Sequence, residues 1–280
     1  MSATILTGKK LAAMIRAEIS VQATELTRAE TPPKLAVVVA TVDESAAWYV
    51  RSIATAAEQV HIACDIVDLG PDAGPDDIRH TLASLCTDET IHGVILQTPL
   101  PQGAKLEDLA SAIAPEKDID GANPLSLGRL AAGLSAFAPA TAEAVLALLD
   151  HHNVELAGQH VAVVGRSTVV GKPAAHLLLN NNATVTVCHS RTKDLAAVTS
   201  TADVVVAAAG RIGLITAEHV RAGAVVVDVG TNPTDDGRLV GDVDAASVTE
   251  KASALTPVPG GVGPVTTALL LQHTVQAAAR

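Results

Sequence analysis

"VAVVGRSTVVGKPAAHLLL", Val161 to Leu179, is the stretch whose reading decides the fold. Val161–Val164 form a short apolar run, the mark of a buried strand. Gly165 ends that run, and Gly171 opens a helix with Pro173 in its first turn. A strand, a glycine turn and a helix in this order make up half of a βαβ unit, with a helix start suited to a phosphate. The spacing is G-R-S-x-x-x-G rather than GxGxxG, so the turn alone also fits a plain βα connection. Its neighbours extend the pattern. "ATVTVCH" (183–189), "ADVVVAA" (202–208) and "AVVVDVG" (224–230) are further Val-rich runs separated by helical or loop segments. That rhythm predicts a Rossmann-type, doubly wound parallel sheet with ligands at its strand ends.

A second α/β rhythm precedes it. "KLAVVVA" (34–40) and "IHGVILQTPLP" (91–101) read as buried strands, the latter ending near Pro99, and "HIACDIVDL" (61–69) alternates as a strand. Between them, "TVDESAAWYVRSIATAAEQV" reads as a helix with Asp43 or Ser45 as N-cap, and "PDDIRHTLASLCT" as another. Leu11, Met14, Ile15 and Ile19 give an N-terminal amphipathic helix. The expectation is an α/β protein of two α/β domains with a cleft between them. Residues 1–137 form the first, 138–264 the Rossmann-type second, and a C-terminal helix, 265–280, packs back on the first.

Composition narrows the function classes. Hydrophobic residues make up 48% of the 280 and charged residues 18%, enough for a well-formed core. One Trp, one Tyr and one Phe leave little for base stacking, and the net charge of −11 disfavours nucleic-acid backbones. Cys64, Cys86 and Cys188 are odd in number and lack CxxC spacing, the usage of a reduced, cytoplasmic protein. There is no apolar run of the ~18 residues a membrane helix needs, and no signal peptide. The histidines lack a metal-ligand spacing, so no metal is expected.

The cofactor expectation rests on the strand end after Gly165. An NAD site usually carries Asp or Glu about 20 residues on, for the ribose hydroxyl. "VCHSRT" (187–192) has none. Arg166, Ser190 and Arg191 instead suit a 2′-phosphate, which favours NADP, unless Arg191 is a plain surface residue. Gly165, Ser167 and Val170 of the turn and Thr231, after "DVG", complete the cofactor set. "TPVPGGVGPVT" (256–266) places Pro259, Gly260, Gly261, Val262 and Gly263 in a loop that either approaches a ligand closely or serves as a rigid turn.

In order along the chain, "YV" (49–50), "QTPLP" (97–101), "PEKDIDG" (115–121), "GRL" (128–130), "GRSTVVGKP", "CHSRT", "DVGTN", "GDV" and "TPVPGGVGP" together resemble the bifunctional methylenetetrahydrofolate dehydrogenase/cyclohydrolases. The resemblance covers essentially the whole chain. It implies a homodimer with a folate-binding first domain and an NADP-binding second. The implied dehydrogenase step moves a hydride from 5,10-methylenetetrahydrofolate to the nicotinamide; the cyclohydrolase step hydrates the methenyl product to 10-formyltetrahydrofolate. By the same resemblance Tyr49 stacks on the folate, Gln97 stands beside a catalytic lysine, and Asp120 binds the pterin's donor edge, with Asp118 as its rival. The "PGGVGP" loop also belongs to the substrate site.

The first departure from that pattern lies one helical turn beyond Tyr49. The family motif is Y-x-x-x-K, one helical turn from Tyr to Lys. Here the fourth residue after Tyr49 is Ile53. Arg51 lies about 200° around the helix from Tyr49 and is no ready substitute. Thr98, Ser126, and Ala140 and Ala142 of "PATA" also depart from the usual residues. The expectation is a dehydrogenase whose hydrolytic step is impaired. Its rivals are a pseudoenzyme that binds NADP and folate without turnover, and an oxidoreductase for a different pterin-like substrate.

Overall fold

The computed structural model describes residues 3–234 and 236–280. In chain order, β1 (Thr4–Ile5) and α1 (Lys9–Arg28) precede the alternation β2 (Lys34–Val39), α2 (Glu44–Glu58), β3 (Ala63–Asp68), α3 (Pro75–Thr87) and β4 (Gly93–Leu96). The short α4 (Leu106–Ala110) and α5 (Pro124–Ala131) lead to α6 (Ala140–His151). The Rossmann segment follows as β5 (His160–Val164), α7 (Gly171–Asn180), β6 (Thr184–Cys188), α8 (Leu195–Thr199), β7 (Val204–Ala207) and β8 (Val225–Asp228). A hairpin of β9 (Asn232–Pro233) and β10 (Leu239–Val240), then α9 (Ala245–Thr249), β11 (Ala254–Leu255) and α10 (Val262–Ala278) close the order.

The chain divides into two α/β units. The Rossmann unit holds the N-terminal segment through Ala12 together with Thr141–Thr266. Its parallel sheet runs β1-β11-β8-β7-β5-β6, so the order reverses between β5 and β7. Its core is made of Val and Ala from the strands, with Val164, Val205, Ala207 and Val226 buried against Ile215, Val220 and Val248. The other unit holds Ala13–Ala140 and Thr267–Arg280 around a three-stranded parallel sheet, β3-β2-β4.

Local chemistry explains the boundaries. Asp43, not Ser45, caps α2, its Oδ1 accepting the Ala46 amide at 2.7 Å. β3 is more exposed than its alternation suggests, whereas β4, the opposite edge of the same sheet, is buried throughout. β4 stops at Leu96, before Pro99 removes a donor from the ladder. β1 and β11 have two residues each, too short to leave any periodicity in the sequence. They nevertheless draw the N-terminal segment into the Rossmann sheet, with Thr4 opposite Ala254 and Ile5 opposite Leu255, although the sequence reading grouped it with the first domain. Among the described residues no helix is long and apolar enough to cross a membrane.

Candidate functional site

In the three-stranded unit the structure brings Tyr49, Asp120 and two residues of α10 together. The Tyr49 hydroxyl hydrogen-bonds Thr267, and burial, reinforced by the Asp120 charge, pushes its phenol well above the ordinary range. Burial likewise raises Asp120 to about 7, with the Asp118 charge adding to the effect and the Ala140 amide and His273 opposing it. The turn that carries Asp120 depends on Gly121, whose φ is +60°. A Cβ there would lie 2.5 Å from the backbone of Ala138 and Pro139.

Asp118 has a different task. It is fully buried, and its two carboxylate oxygens accept the amides of Ala122 and Asn123, each at 2.9 Å. Asn123 in turn caps α5 by accepting the Leu125 amide at 2.7 Å. Asp118 therefore holds the turn, and Asp120 is the carboxylate beside Tyr49.

Ile53 is fully buried on the α2 stripe of Ala46, Val50, Ile53 and Ala57. It can neither donate nor accept a proton. Arg51 is exposed and lines an open groove with Thr55, Glu58, Cys64 and Ile66 of the α2–β3 edge. Gln97 leaves the carboxyl end of β4, where its backbone amide still bonds Val38 of β2 at 2.9 Å. Its side-chain amide turns back to the Thr98 carbonyl at 2.6 Å.

In the Rossmann unit the glycine turn is built by close approach. Gly165 has φ +139°, and a Cβ on it would meet the Ala208 carbonyl oxygen at 2.1 Å. A Cβ on Gly171 would meet the Gly165 carbonyl oxygen at 2.2 Å. Ser167 Oγ accepts the amides of Val170 and Gly171, which tightens the start of α7 and leaves Arg166 and Ser167 exposed at the tip. At the end of the adjacent strand, His189 and Thr192 close a small turn through two 2.8 Å bonds, which presents Ser190 and Arg191 outward. The Gly165 amide bonds the Cys188 carbonyl at 2.9 Å, tying the two strand ends together. Two guanidiniums and two serine hydroxyls, with no acid between Cys188 and Thr192, form a donor set that fits a phosphorylated ribose. NADP fits these residues better than NAD does.

Thr231 is exposed just beyond β8, on a loop held by two buried acids. Asp228 accepts the amides of Gly230, Asp242 and Val243, and burial raises it to about 6. Asp242 accepts the amides of Ala209, Gly210 and Arg211 and the side-chain amide of Asn232. Gly230 and Gly241 let the two acids close in, because a Cβ on either would strike a carboxyl group of the pair. In the Pro/Gly loop, Gly260 (φ +105°) offers its carbonyl to the Gly8 amide at 3.0 Å and to Thr7 Oγ1 at 3.2 Å. Gly8 is itself pressed against Gly261. Gly260 and Gly261 are buried for this packing, as is Val262, whereas Pro259 and Gly263 remain exposed.

Family models match both halves of the chain: "Tetrahydrofolate dehydrogenase/cyclohydrolase, catalytic domain" over residues 6–120 and its "NAD(P)-binding domain" over 139–280. The chain belongs to the tetrahydrofolate dehydrogenase/cyclohydrolase family. It is 67% identical to the "Bifunctional protein FolD 1" of Saccharopolyspora erythraea, over 98% of this chain and 93% of that protein. The solved FolD methylenetetrahydrofolate dehydrogenase/cyclohydrolase of Campylobacter jejuni matches with a TM-score of 0.96 and 38% identity, covering 99% of each chain. The FolD of Trypanosoma brucei, solved with NADP cofactor and an inhibitor, matches with a TM-score of 0.95 and 35% identity over 100% of this chain and 98% of that one.

Within this family's NAD(P)-binding domain the sequence marks the exposed tips but not their supports. The sequence shows Asp242 only as part of "GDV", and neither its role nor the Ala209–Arg211 loop is legible there, because the two are joined by hydrogen bonds across some 30 residues of chain. Thr267 and His273 escape notice because they are two of several polar residues, with Thr266, Gln272, Thr274 and Gln276, scattered along α10.

Proposed function

We propose that this family member is an NADP-dependent 5,10-methylenetetrahydrofolate dehydrogenase whose cyclohydrolase step is severely weakened. The observation that carries the reading is the contrast between a complete phosphate-friendly turn and the buried Ile53 where the resemblance implies a lysine. Gly165, Arg166, Ser167, Val170, Ser190, Arg191 and Thr231 hold the dinucleotide, which when bound supplies the hydride acceptor. Tyr49 offers its ring as a folate platform. Asp120, when ionised, accepts two N–H bonds from the aminopyrimidine edge of the pterin. Gln97 completes the substrate contacts of the three-stranded unit; in the Rossmann unit the exposed Pro259 and Gly263, on a loop set by Gly260, Gly261 and Val262, are further substrate-binding residues by the family resemblance.

The two half-reactions respond differently to Ile53. Oxidation needs chiefly positioning, with the electronic push coming from the folate nitrogen. Hydration needs proton movement, for which a placed acid–base group gives about 10²–10⁴-fold, or roughly 3–5 kcal/mol of barrier. Two copies associate through the β3 edge, whose exposed Ala63, Asp65 and Ile66 leave a row of backbone groups unpaired by the unit's own sheet. With Cys64, Cys86 and Cys188 all free, the protein suits a reducing cytoplasm.

A spectrophotometric assay with methylenetetrahydrofolate and NADP or NAD tests this. Reduced cofactor appears, faster with NADP, while the methenyl band then decays at close to the buffer rate. No reduced cofactor with either nucleotide means a binding protein without turnover. Decay of the methenyl band far above buffer overturns the hydrolytic half.

A further inference from the structure

Between the carboxyl end of β6 and α8, residues His189 to Thr192 form one tight turn. The Thr192 amide donates to the His189 carbonyl and the His189 amide to Thr192 Oγ1, each at 2.8 Å, so the ends of the turn close on each other. Its start is anchored too, because the Gly165 amide donates to the Cys188 carbonyl at 2.9 Å. Those bonds pass by the two middle residues, Ser190 and Arg191. A further bond reaches them: the Arg191 amide donates to His189 Nδ1 at 3.1 Å. A backbone amide only donates, so Nδ1 offers its lone pair and the ring proton of the half-buried imidazole is on Nε2. The ring thus does what an Asn or Asp oxygen does in an Asx turn, accepting from the amide two residues on.

The place of this acceptor matters as much as the bond. An NAD site usually keeps an acid at this strand end, for the ribose hydroxyl. An acid at position 189 could accept the same amide. Its charge would then stand one and two residues from the hydroxyl and the guanidinium that suit a 2′-phosphate, and would repel that phosphate. A histidine with its lone pair on Nδ1 gives the turn an acceptor and brings no negative charge.

We propose that His189 is a positioning residue that sets the preference for NADP over NAD: it holds the Arg191 backbone so that Ser190 and Arg191 face a 2′-phosphate, and it does so without a carboxylate at the strand end. It acts through Arg191. The role rests on the NADP reading of this turn given above.

The test titrates full-length protein with NADP and with NAD by calorimetry, so it needs no folate turnover. Three variants separate the acceptor from the charge. His189→Asn keeps a neutral acceptor, and both affinities stay within about twofold of wild type. His189→Leu removes the acceptor; NADP weakens about three- to tenfold and NAD stays within about twofold. His189→Asp keeps the acceptor and adds a charge; NADP weakens about tenfold or more while NAD holds or tightens. On an Arg191→Ala background, His189→Leu costs NADP no more than about twofold further, because the side chain it sets is gone. Equal weakening of NADP and NAD in His189→Leu overturns the proposal, as does an Asn variant that behaves like the Leu one, or a Leu effect that persists in full without Arg191. The 15N spectrum of the wild-type imidazole, assigned by its loss in His189→Asn, needs no affinity at all: a neutral ring protonated on Nδ1 overturns the proposal. A wild type that binds NAD as tightly as NADP sinks the cofactor reading of the turn and the role of His189 with it. A wild-type preference that survives both His189→Leu and His189→Asp sinks His189 alone.

Discussion

Each unit sets two aspartates close together, three of the four buried and Asp120 half-buried, and the two pairs do different things. In the Rossmann unit, Asp228 and Asp242 are saturated with backbone amides and the Asn232 side chain, so both carboxylates are used up in folding strand-end loops. In the three-stranded unit only Asp118 is used that way. Asp120, two residues on, faces a phenol and a histidine, and burial lifts it into the neutral range. The residue type is the same, and Asp120 is the least buried of the four. Asp118 takes two backbone amides and Asp120 takes the one of Ala140, so the supply of N–H donors separates the scaffold carboxylate from the one that keeps acceptor capacity.

The comparison is most directly broken at Asp242. Asp242→Ala strands the amides of Ala209, Gly210 and Arg211, and the expected loss is about 3 kcal/mol or more, read as a lower urea midpoint. A loss below about 1 kcal/mol would mean that these amides find water instead. Ile53→Lys comes next. An ammonium in a fully buried site costs about 2–4 kcal/mol even after its pKa falls, so thermal stability drops. Methenyl hydrolysis stays well short of the level an intact lysine site implies, because Thr98 and the "PATA" segment beside Asp120 also depart from the family's residues. Full recovery of hydrolysis by that single change would show the surroundings to be intact.

Bulk pH sharpens the same contrast. Asp118, Asp120 and Asp228 are all raised, chiefly by burial, so the folded state favours their protonated forms. The stability they contribute is fully present below the ordinary carboxylate range and is lost as pH rises through about 6 and about 7. Melting temperature should therefore rise between pH 8 and pH 5.5, while folate affinity falls as Asp120 takes up its proton. Calorimetry and KM measured on the same samples check both signs.

Arg191→Ala tests the loop side. Loss of one charge-assisted pair raises KM for NADP about tenfold to hundredfold and leaves NAD nearly unchanged. The smallest effect belongs to Tyr49→Phe. The ring remains, the hydroxyl bond to Thr267 goes, and folate KM changes by about three- to fivefold. A loss of 100-fold there would make the hydroxyl, not the ring, the working part of Tyr49.

The sequence was most legible where side-chain pattern maps directly onto backbone. The Val-rich runs became the Rossmann strands, and "PDDIRHTLASLCT" became α3 residue for residue, its Pro at the start and apolar Ile78 and Leu82 on the buried face. The ordered motifs, and Tyr49 as the single tyrosine of the sequence, drew attention to Tyr49 and Asp120, which the structure brings close together. The separation of Asp118 from Asp120 was not, because it depends on which carboxylate the Ala122 and Asn123 amides reach. His273 was hidden for a related reason: its partner, Ile119, is 154 positions away, and a carbonyl leaves no trace in a sequence.

The division of the chain between the units has a consequence for synthesis on the ribosome. Everything the Rossmann unit needs has been made once Thr266 is added. The three-stranded unit, begun at Ala13, still lacks the last stretch of α10, and with it Thr267 and His273. The Tyr49–Asp120 pocket thus waits on residues made after the whole Rossmann segment, so the three-stranded unit cannot be complete before the nucleotide fold has been synthesised.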